Sequence, residues 1–303
     1  MNGIIIIDKP EDYTSFDVVA VMRKLLGEKK VGHTGTLDPM AIGVLPILLG
    51  RATKLRAFLP ITEKEYIAKI KLGLVTDTLD ITGKVLLSSV STCIKKKEFQ
   101  TALEPFVGEI EQLPPMYSAV QKDGVRLYEF ARKGIEVERS PRKVVINKLE
   151  LLRFDEALQE GELLITCSKG TYIRTLCDDI GKKLSCGAVL AGLQRTKACG
   201  FSLKDSITLD KARELAANNN LQKYVLPCDL PFKSFNAANI TLPQANRFRN
   251  GGALSLDRVF FNNDQGLINS EIVRLYSAEI GFIGLGKINL EKGELSVACL
   301  VEV

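Results

Sequence analysis

Gly32-His33-Thr34-Gly35-Thr36-Leu37-Asp38-Pro39-Met40-Ala41-Ile42-Gly43-Val44-Leu45-Pro46 is the stretch on which the reading of this chain turns. It carries His33, the only histidine among 303 residues, and Asp38 five positions later. Glycines 32, 35 and 43 bracket both, and glycine permits backbone angles and close approaches that a Cβ forbids. Pro39 pushes Asp38 out of helical geometry into an extended or turn conformation. A lone carboxylate on a Gly-rich turn, beside the apolar run Ile42–Leu49, is a candidate nucleophile, acid or base. A simple Asp-Pro turn, with Asp38 bonding its own backbone, fits the same residues. Spacing alone favours the turn.

Composition bounds the class of protein. Hydrophobic residues make up 46% and charged residues 25%, as in an ordinary globular chain long enough for two domains. No apolar run reaches the roughly 18–20 residues that span a bilayer. The start, MNGIIIIDKPED, turns acidic too soon for a secretory signal, so the expected location is cytoplasmic. Seven cysteines at wide spacing form no Cys-x-x-Cys pair. With one histidine, no metal pattern is expected, and the thiols read as reduced and mostly buried. Net charge is +5, and residues 234–303 hold six Lys/Arg against seven Asp/Glu. The positive excess therefore lies wholly in residues 1–233, weakly in favour of a polyanionic partner.

Outward from the central stretch, Gly3–Ile7 reads as a buried strand running into the turn Asp8-Lys9-Pro10. Thr14 and Asp17 have capping-box spacing, and Val18, Val19, Met22, Leu25 and Leu26 follow at helical spacing up to Gly27. Lys64–Leu72 alternates with period two, placing Tyr66, Ala68, Ile70 and Leu72 on one face. Residues 95–106 read as a surface helix. From Leu113 to Lys143, seven basic residues stand against four acids, with Tyr117, Tyr128 and Phe130 interleaved. That mixture suits a surface for phosphates and bases, and equally an amphipathic helix with a buried tyrosine. Lys143–Phe154 and Glu162–Ser168 read as strands. A Gly170 turn then carries Tyr172 and Arg174 into a helix expected over Leu176–Leu184. Arg174 has Asp178 at i+4 or Asp179 at i+5 as a surface partner, the former being favourable. A helix is expected at Leu209–Ala217, a boundary near 234–239, and short strands to the end.

Several of these blocks together resemble the TruB family of tRNA pseudouridine synthases. Residues 32–46 match its signature GHTGTLDPxAxGxLP, and DKPxxxTSF, Lys64-Glu65-Tyr66, TDTLD, MYSAVQKDGVRLYEFAR, KGTYIRTL and Leu193-Gln194-Arg195 match further blocks. The resemblance implies an α+β pseudouridine synthase fold, with a mixed, largely antiparallel sheet and flanking helices. It implies a catalytic domain over 1–233, with an RNA-clamping insertion at about 113–143, and a small PUA-like β-barrel over 234–303.

For the site, it implies Asp38 as nucleophile, Arg174 as the cation facing it, and Tyr66 against the target uracil. Leu193 closes the apolar side, Tyr172 lines the pocket, and His33 fills space left by a flipped base. Lys9 is expected to contact RNA, or else to be a solvated turn lysine. Tyr66 as a core aromatic and His33 as a loop stiffener remain the plain alternatives. The implied substrate is the T-arm stem-loop of tRNA, modified at position 55, with no cofactor, no metal, no membrane and no obligatory protein partner. The implied state is a monomer. A tRNA-folding chaperone, acting by binding rather than isomerisation, is the alternative, and an aspartyl-phosphate enzyme fits poorly because no P-loop accompanies Asp38.

Overall fold

The computed structural model describes residues 1–88, 93–262 and 266–301. Strand β1 (Gly3–Lys9) leads to helix α1 (Ser15–Leu26), whose capping box is formed as the sequence predicts. Thr14 Oγ1 accepts from the Asp17 amide at 3.1 Å, and the Asp17 carboxylate accepts from the Thr14 amide at 2.8 Å. Such a cap is worth about 1 kcal/mol. Gly27 ends the helix in the left-handed region at φ 62°. The central stretch spans a short strand β2 (Val31–His33), an irregular loop, and strand β3 (Ala41–Leu49). A single-turn-rich 3₁₀ run (Gly50–Phe58) leads on to β4 (Lys64–Leu72) and a small hairpin of β5 (Leu74–Thr76) and β6 (Val85–Ser88).

Next come α2 (Lys96–Leu103) and β7 (Gly108–Gln112). The basic, aromatic segment holds a tight hairpin of β8 (Gln121–Lys122) and β9 (Val125–Arg126), then the short helix α3 (Leu127–Ala131). The chain continues through β10 (Arg142–Asp155), β11 (Glu160–Cys167), α4 (Ile173–Lys183) and β12 (Ala188–Ala198). Strands β13 (Phe201–Ser202) and β14 (Ile207–Thr208) precede α5 (Leu209–Ala217), which occupies the predicted residues. The last segment comprises β15 (Ala237–Asn239), α6 (Leu242–Arg249), β16 (Leu254–Ser255), β17 (Phe260–Phe261), β18 (Ile272–Ser277), β19 (Gly281–Asn289) and β20 (Glu294–Leu300).

Two compact units divide these elements, and the cut falls inside β3 after Gly43. The first comprises residues 1–39, 44–61 and 199–303. In it, β14, β1 and the latter part of β3 are neighbours, β14 pairs in parallel with β1, and β2 is antiparallel to β3. Ile5, Ile7, Leu45, Ile47 and Leu49 form one core with Val18, Val19 and Met22 of α1 and Leu209 and Ala212 of α5. The same unit holds a six-stranded sheet in the order β16-β20-β19-β18-β15-β17, with its own core on Phe248, Leu275, Ile283 and Leu295. This sheet curls into a half-barrel that stays open between β16 and β17 among the described residues.

The second unit comprises residues 40–43 and 62–198. Its sheet runs from the first residues of β3 through β12, β4, β11 and β10 to β7. Among the described residues of this unit only the β3–β12 pairing is parallel, so the sheet is mixed and largely antiparallel as expected. The period-two alternation of β4 buries Tyr66, Ala68, Ile70 and Leu72 together. No helix among the described residues is long and apolar enough to cross a membrane.

Candidate active site

The loop that carries Asp38 is built in the first unit from three ties. Leu37 is buried, its amide donates to Ser15 Oγ at 2.9 Å, and its carbonyl accepts from the same hydroxyl at 3.2 Å. Pro39 lends its carbonyl to the amide of Asp12 at 3.0 Å. The third tie is Lys9, whose Nζ donates to the carbonyls of Tyr13 at 2.6 Å, Pro10 at 2.8 Å and Pro39 at 3.1 Å. Both residues flanking Asp38 are therefore anchored, while Asp38 itself is half-buried.

Lys9 is 0% exposed, which corrects the expectation of an RNA contact or a solvated turn lysine. Three carbonyls match the three protons of an ammonium, and an ion so enclosed is held in the protein rather than offered to a phosphate. Its sequence neighbours gave no sign of this, because Pro39 is thirty positions away. His33 is buried on β2, opposite Ile47 of β3. Its ring meets that of Phe16 edge-on, with centroids 5.3 Å apart at 84°.

Gly43 earns its place in the motif by close approach. At φ 106°, a Cβ on it would lie 2.3 Å from the Arg195 carbonyl of β12. Gly32 is different: a Cβ there meets only Thr53 Cγ2 at an ordinary 3.5 Å, so the steric reading of the bracketing glycines applies to Gly43 and not to Gly32.

In the second unit, β12 lies between β3 and β4. Leu193 is opposite Ala41 on one side and Ala68 on the other, and Arg195 is opposite Gly43 and Tyr66. Tyr66 is 5% exposed, and Leu193 is half-buried. Tyr172 is the N-cap residue of α4 but makes no side-chain cap bond. Instead Gln112 of β7, itself buried, grips its backbone: the Tyr172 amide donates to Oε1 at 2.9 Å and Nε2 donates to its carbonyl at 3.2 Å. The helix accordingly begins at Ile173, three residues before the predicted start, and Arg174 sits in its first turn.

Arg174 is 7% exposed. Its Nη2 donates to the Tyr117 carbonyl at 2.8 Å, and its Nη1 donates to the Thr78 carbonyl at 3.2 Å and lies 3.7 Å from Asp80 Oδ2. The surface partners open to it in sequence are taken by Lys182, at 2.6 Å from Asp178 and 3.8 Å from Asp179. Asp80 is the residue that sequence reasoning passed over, although it ends the TDTLD block. Its other oxygen, Oδ1, accepts from Thr82 Oγ1 at 2.6 Å, Thr78 Oγ1 at 2.8 Å and the Thr82 amide at 3.1 Å. The carboxylate is thus pinned before it meets the guanidinium.

The buried thiols of Cys167 and Cys177 do not compete for a catalytic role here. Burial pushes Cys167 up to about 11 and raises Cys177 further, which keeps both protonated at neutral pH. Among the described residues, no three His, Cys, Asp or Glu side chains are grouped to hold a metal ion.

Comparison with known proteins gives a consistent answer. Residues 23–173 match the family model described as TruB family pseudouridylate synthase (N terminal domain). Residues 174–233 match that described as tRNA pseudouridylate synthase B C-terminal domain. The chain is 45% identical over 291 residues to tRNA pseudouridine synthase B of Clostridium tetani, covering 95% of this chain and 96% of that one. It is 40% identical over 302 residues to the protein of the same name from Clostridium perfringens strain 13, covering 100% of both. Among solved structures, an H/ACA RNP bound to a substrate RNA containing 2′-deoxyuridine contains a chain of the same fold. The TM-score is 0.72 at 22% identity, over 99% of this chain and 85% of that one.

Proposed function

This chain belongs to the TruB family of pseudouridylate synthases, and from that premise we propose that it isomerises a uridine of the tRNA T-loop, at position 55, with Asp38 as nucleophile. The observation that carries the reading is the full-length identity to synthases named for tRNA, with the Asp38 signature intact. Isomerisation breaks the C1′–N1 bond, forms C1′–C5, and moves one proton from C5 to N1. Bonds and electrons balance without an oxidant or an energy source, so the protein's own side chains suffice.

Asp38 supplies the nucleophile, to the ribose or to the base, from a loop whose two flanks are anchored. Arg174 supplies the opposing charge; a planar guanidinium fixed by carbonyls and by Asp80 suits a carboxylate better than a mobile ammonium. Tyr66 stacks on the uracil and assists removal of the C5 proton, Leu193 closes the apolar side, and Tyr172 lines the pocket. The target base must leave the RNA stack, at a cost of a few kcal/mol, and His33 occupies the space it vacates. Lys9 positions the Asp38 loop. Residues 113–143 clamp the stem-loop as an insertion in a catalytic domain of residues 1–233, and residues 234–303 add a PUA-like RNA-binding module. The enzyme works in the cytoplasm as a monomer without a partner protein.

The test is incubation of the protein with an unmodified tRNA transcript, followed by chemical mapping of pseudouridine. A single new pseudouridine at position 55 is the expected result. Pseudouridine only at another position would overturn the T-loop assignment, and RNA binding without any product would favour the chaperone reading.

A further inference from the structure

Gln112 ends strand β7 and is its one fully buried residue; Ile110 is half-buried, and Glu109 and Glu111 are exposed. The alternation gives Gln112 an inward position, which an apolar side chain would ordinarily take. A buried amide needs its hydrogen bonds met, and Gln112 meets them on a single residue. Its Oε1 accepts from the Tyr172 amide at 2.9 Å, and its Nε2 donates to the Tyr172 carbonyl at 3.2 Å.

Tyr172 is where α4 departs. A helix start leaves backbone amides without partners, and a polar side chain at the N-cap ordinarily supplies one. The Tyr172 side chain supplies none, and Thr171 Oγ1 donates instead to the Ser168 carbonyl at 3.0 Å. The Tyr172 carbonyl accepts the first bond of the helix, from the Leu176 amide at 3.0 Å. Gln112 therefore does the work of a cap from a distant strand. It fixes the extended backbone of Tyr172, at φ −100° and ψ 108°, from which the first turn begins.

The same short segment holds the far end of Arg174. The Tyr117 carbonyl accepts from Nη2 at 2.8 Å, and between the two ties the Leu113 carbonyl accepts from Thr175 Oγ1 at 3.5 Å. Residues 112–117 thus grip both the backbone start and the guanidinium of one arginine, all within the second unit. A long side chain with many rotamers aims its charge only when both ends are held.

We propose that Gln112 is a positioning residue for the isomerisation: by capping α4 through the Tyr172 backbone it sets the base from which Arg174 reaches the Tyr117 carbonyl and Asp80. The proposal rests on the function proposed above, in which Arg174 supplies the charge opposing the nucleophile.

The experiment compares the unaltered protein with Gln112→Leu, Gln112→Glu, Arg174→Ala and the Gln112→Leu/Arg174→Ala pair, all as full chains. Single-turnover pseudouridine formation and affinity are measured with T-arm RNA, and amide hydrogen exchange is followed without RNA. Circular dichroism at the assay temperature confirms folding. Gln112→Leu should slow the single-turnover rate about 10²-fold, the scale of a small misplacement at a reacting centre, with RNA affinity unchanged. Exchange over residues 172–176 should rise about tenfold while β4, β11 and β12 keep their protection. In the Arg174→Ala background the same substitution should change the rate by less than about twofold, because both act through one group.

Gln112→Glu keeps the acceptor for the Tyr172 amide and loses the donated bond. Its rate should fall about tenfold, and it replaces Gln112→Leu should that variant not fold. Four results overturn the proposal: a near-normal rate with a loosened first turn; a fall in rate matched by an equal fall in RNA affinity; exchange raised evenly across the sheet; or an undiminished effect in the Arg174→Ala background. Absence of product from the unaltered protein counts against the function proposed above, whereas the exchange arm still decides whether Gln112 holds the start of α4.

Discussion

Lys9 and Arg174 are both buried cations, one in each compact unit, and they are held differently. The Lys9 ammonium is enclosed by carbonyls at positions 10, 13 and 39 and ties a turn to the far flank of Asp38. Two carbonyls also fix the Arg174 guanidinium, but a carboxylate pinned by Thr78 and Thr82 stands beside it. Burying a charge is costly unless its hydrogen bonds are met. In Lys9 that cost maintains the shape of a loop. In Arg174 it maintains the orientation of a charge. The difference teaches that burial alone does not mark a catalytic cation; the partners decide what the burial is for.

Substitution can break this contrast. The largest effect is expected for Arg174→Ala, about 10³-fold in kcat, the scale seen when a preorganised charge-stabilising group is removed. Arg174→Lys should recover little of it, because an ammonium cannot meet two carbonyls and a carboxylate with the same planar geometry. Near-normal single-turnover rates in either variant would remove Arg174 from the chemistry.

Lys9→Met keeps much of the volume and strands three carbonyls. A loss of about 2–4 kcal/mol in denaturant unfolding is expected, with kcat lowered and RNA affinity nearly unchanged. Weakened RNA binding at unchanged stability would restore Lys9 as an RNA contact and collapse the comparison. Asp80→Asn keeps the shape and removes the charge beside Arg174. A fall of about tenfold in kcat, or ~1.4 kcal/mol in the barrier, with wild-type RNA affinity would sharpen the orientation role.

The smallest effect is expected in the curled sheet. Tyr276 of β18 donates to Asp229 Oδ2 and accepts from Arg274 Nη1, and burial followed by the Asp229 hydrogen bond pushes its phenol up to about 12. Tyr276→Phe should cost about 1 kcal/mol in a thermal or denaturant melt and leave kcat intact. A phenol raised from its ordinary 10 holds its proton better in the folded state. Its share of stability is present below pH 10 and is lost between about 10 and 12. The variant should lack that part of the alkaline decline.

Local signals carried much of this architecture. The Thr14–Asp17 box, Gly27, the alternation of β4 and the limits of α5 all depend on near neighbours and were legible as written. The start of α4 was not, because a side chain sixty positions away, Gln112, grips the residue that caps it. The burial of Lys9 was hidden for the same reason. Helix α6 is a different case. Its capping box, Thr241 with Gln244, and its Pro243 lie in the sequence, but the expectation for residues 240–303 was of short strands alone. For the site, the motif resemblance pointed to the loop and to Arg174, while Asp80 emerged only from its distance to the guanidinium.

The most direct test of the central claim follows the proton at C5. tRNA transcribed with tritium at uridine C5 is mixed with the unaltered protein and with Asp38→Asn, and released tritium is counted. If Asp38 is the nucleophile, the unaltered protein releases the label from one uridine per tRNA, and the variant releases none above background while still binding the RNA. Release by Asp38→Asn at the unaltered rate would contradict the account, and the reaction would need a different nucleophile.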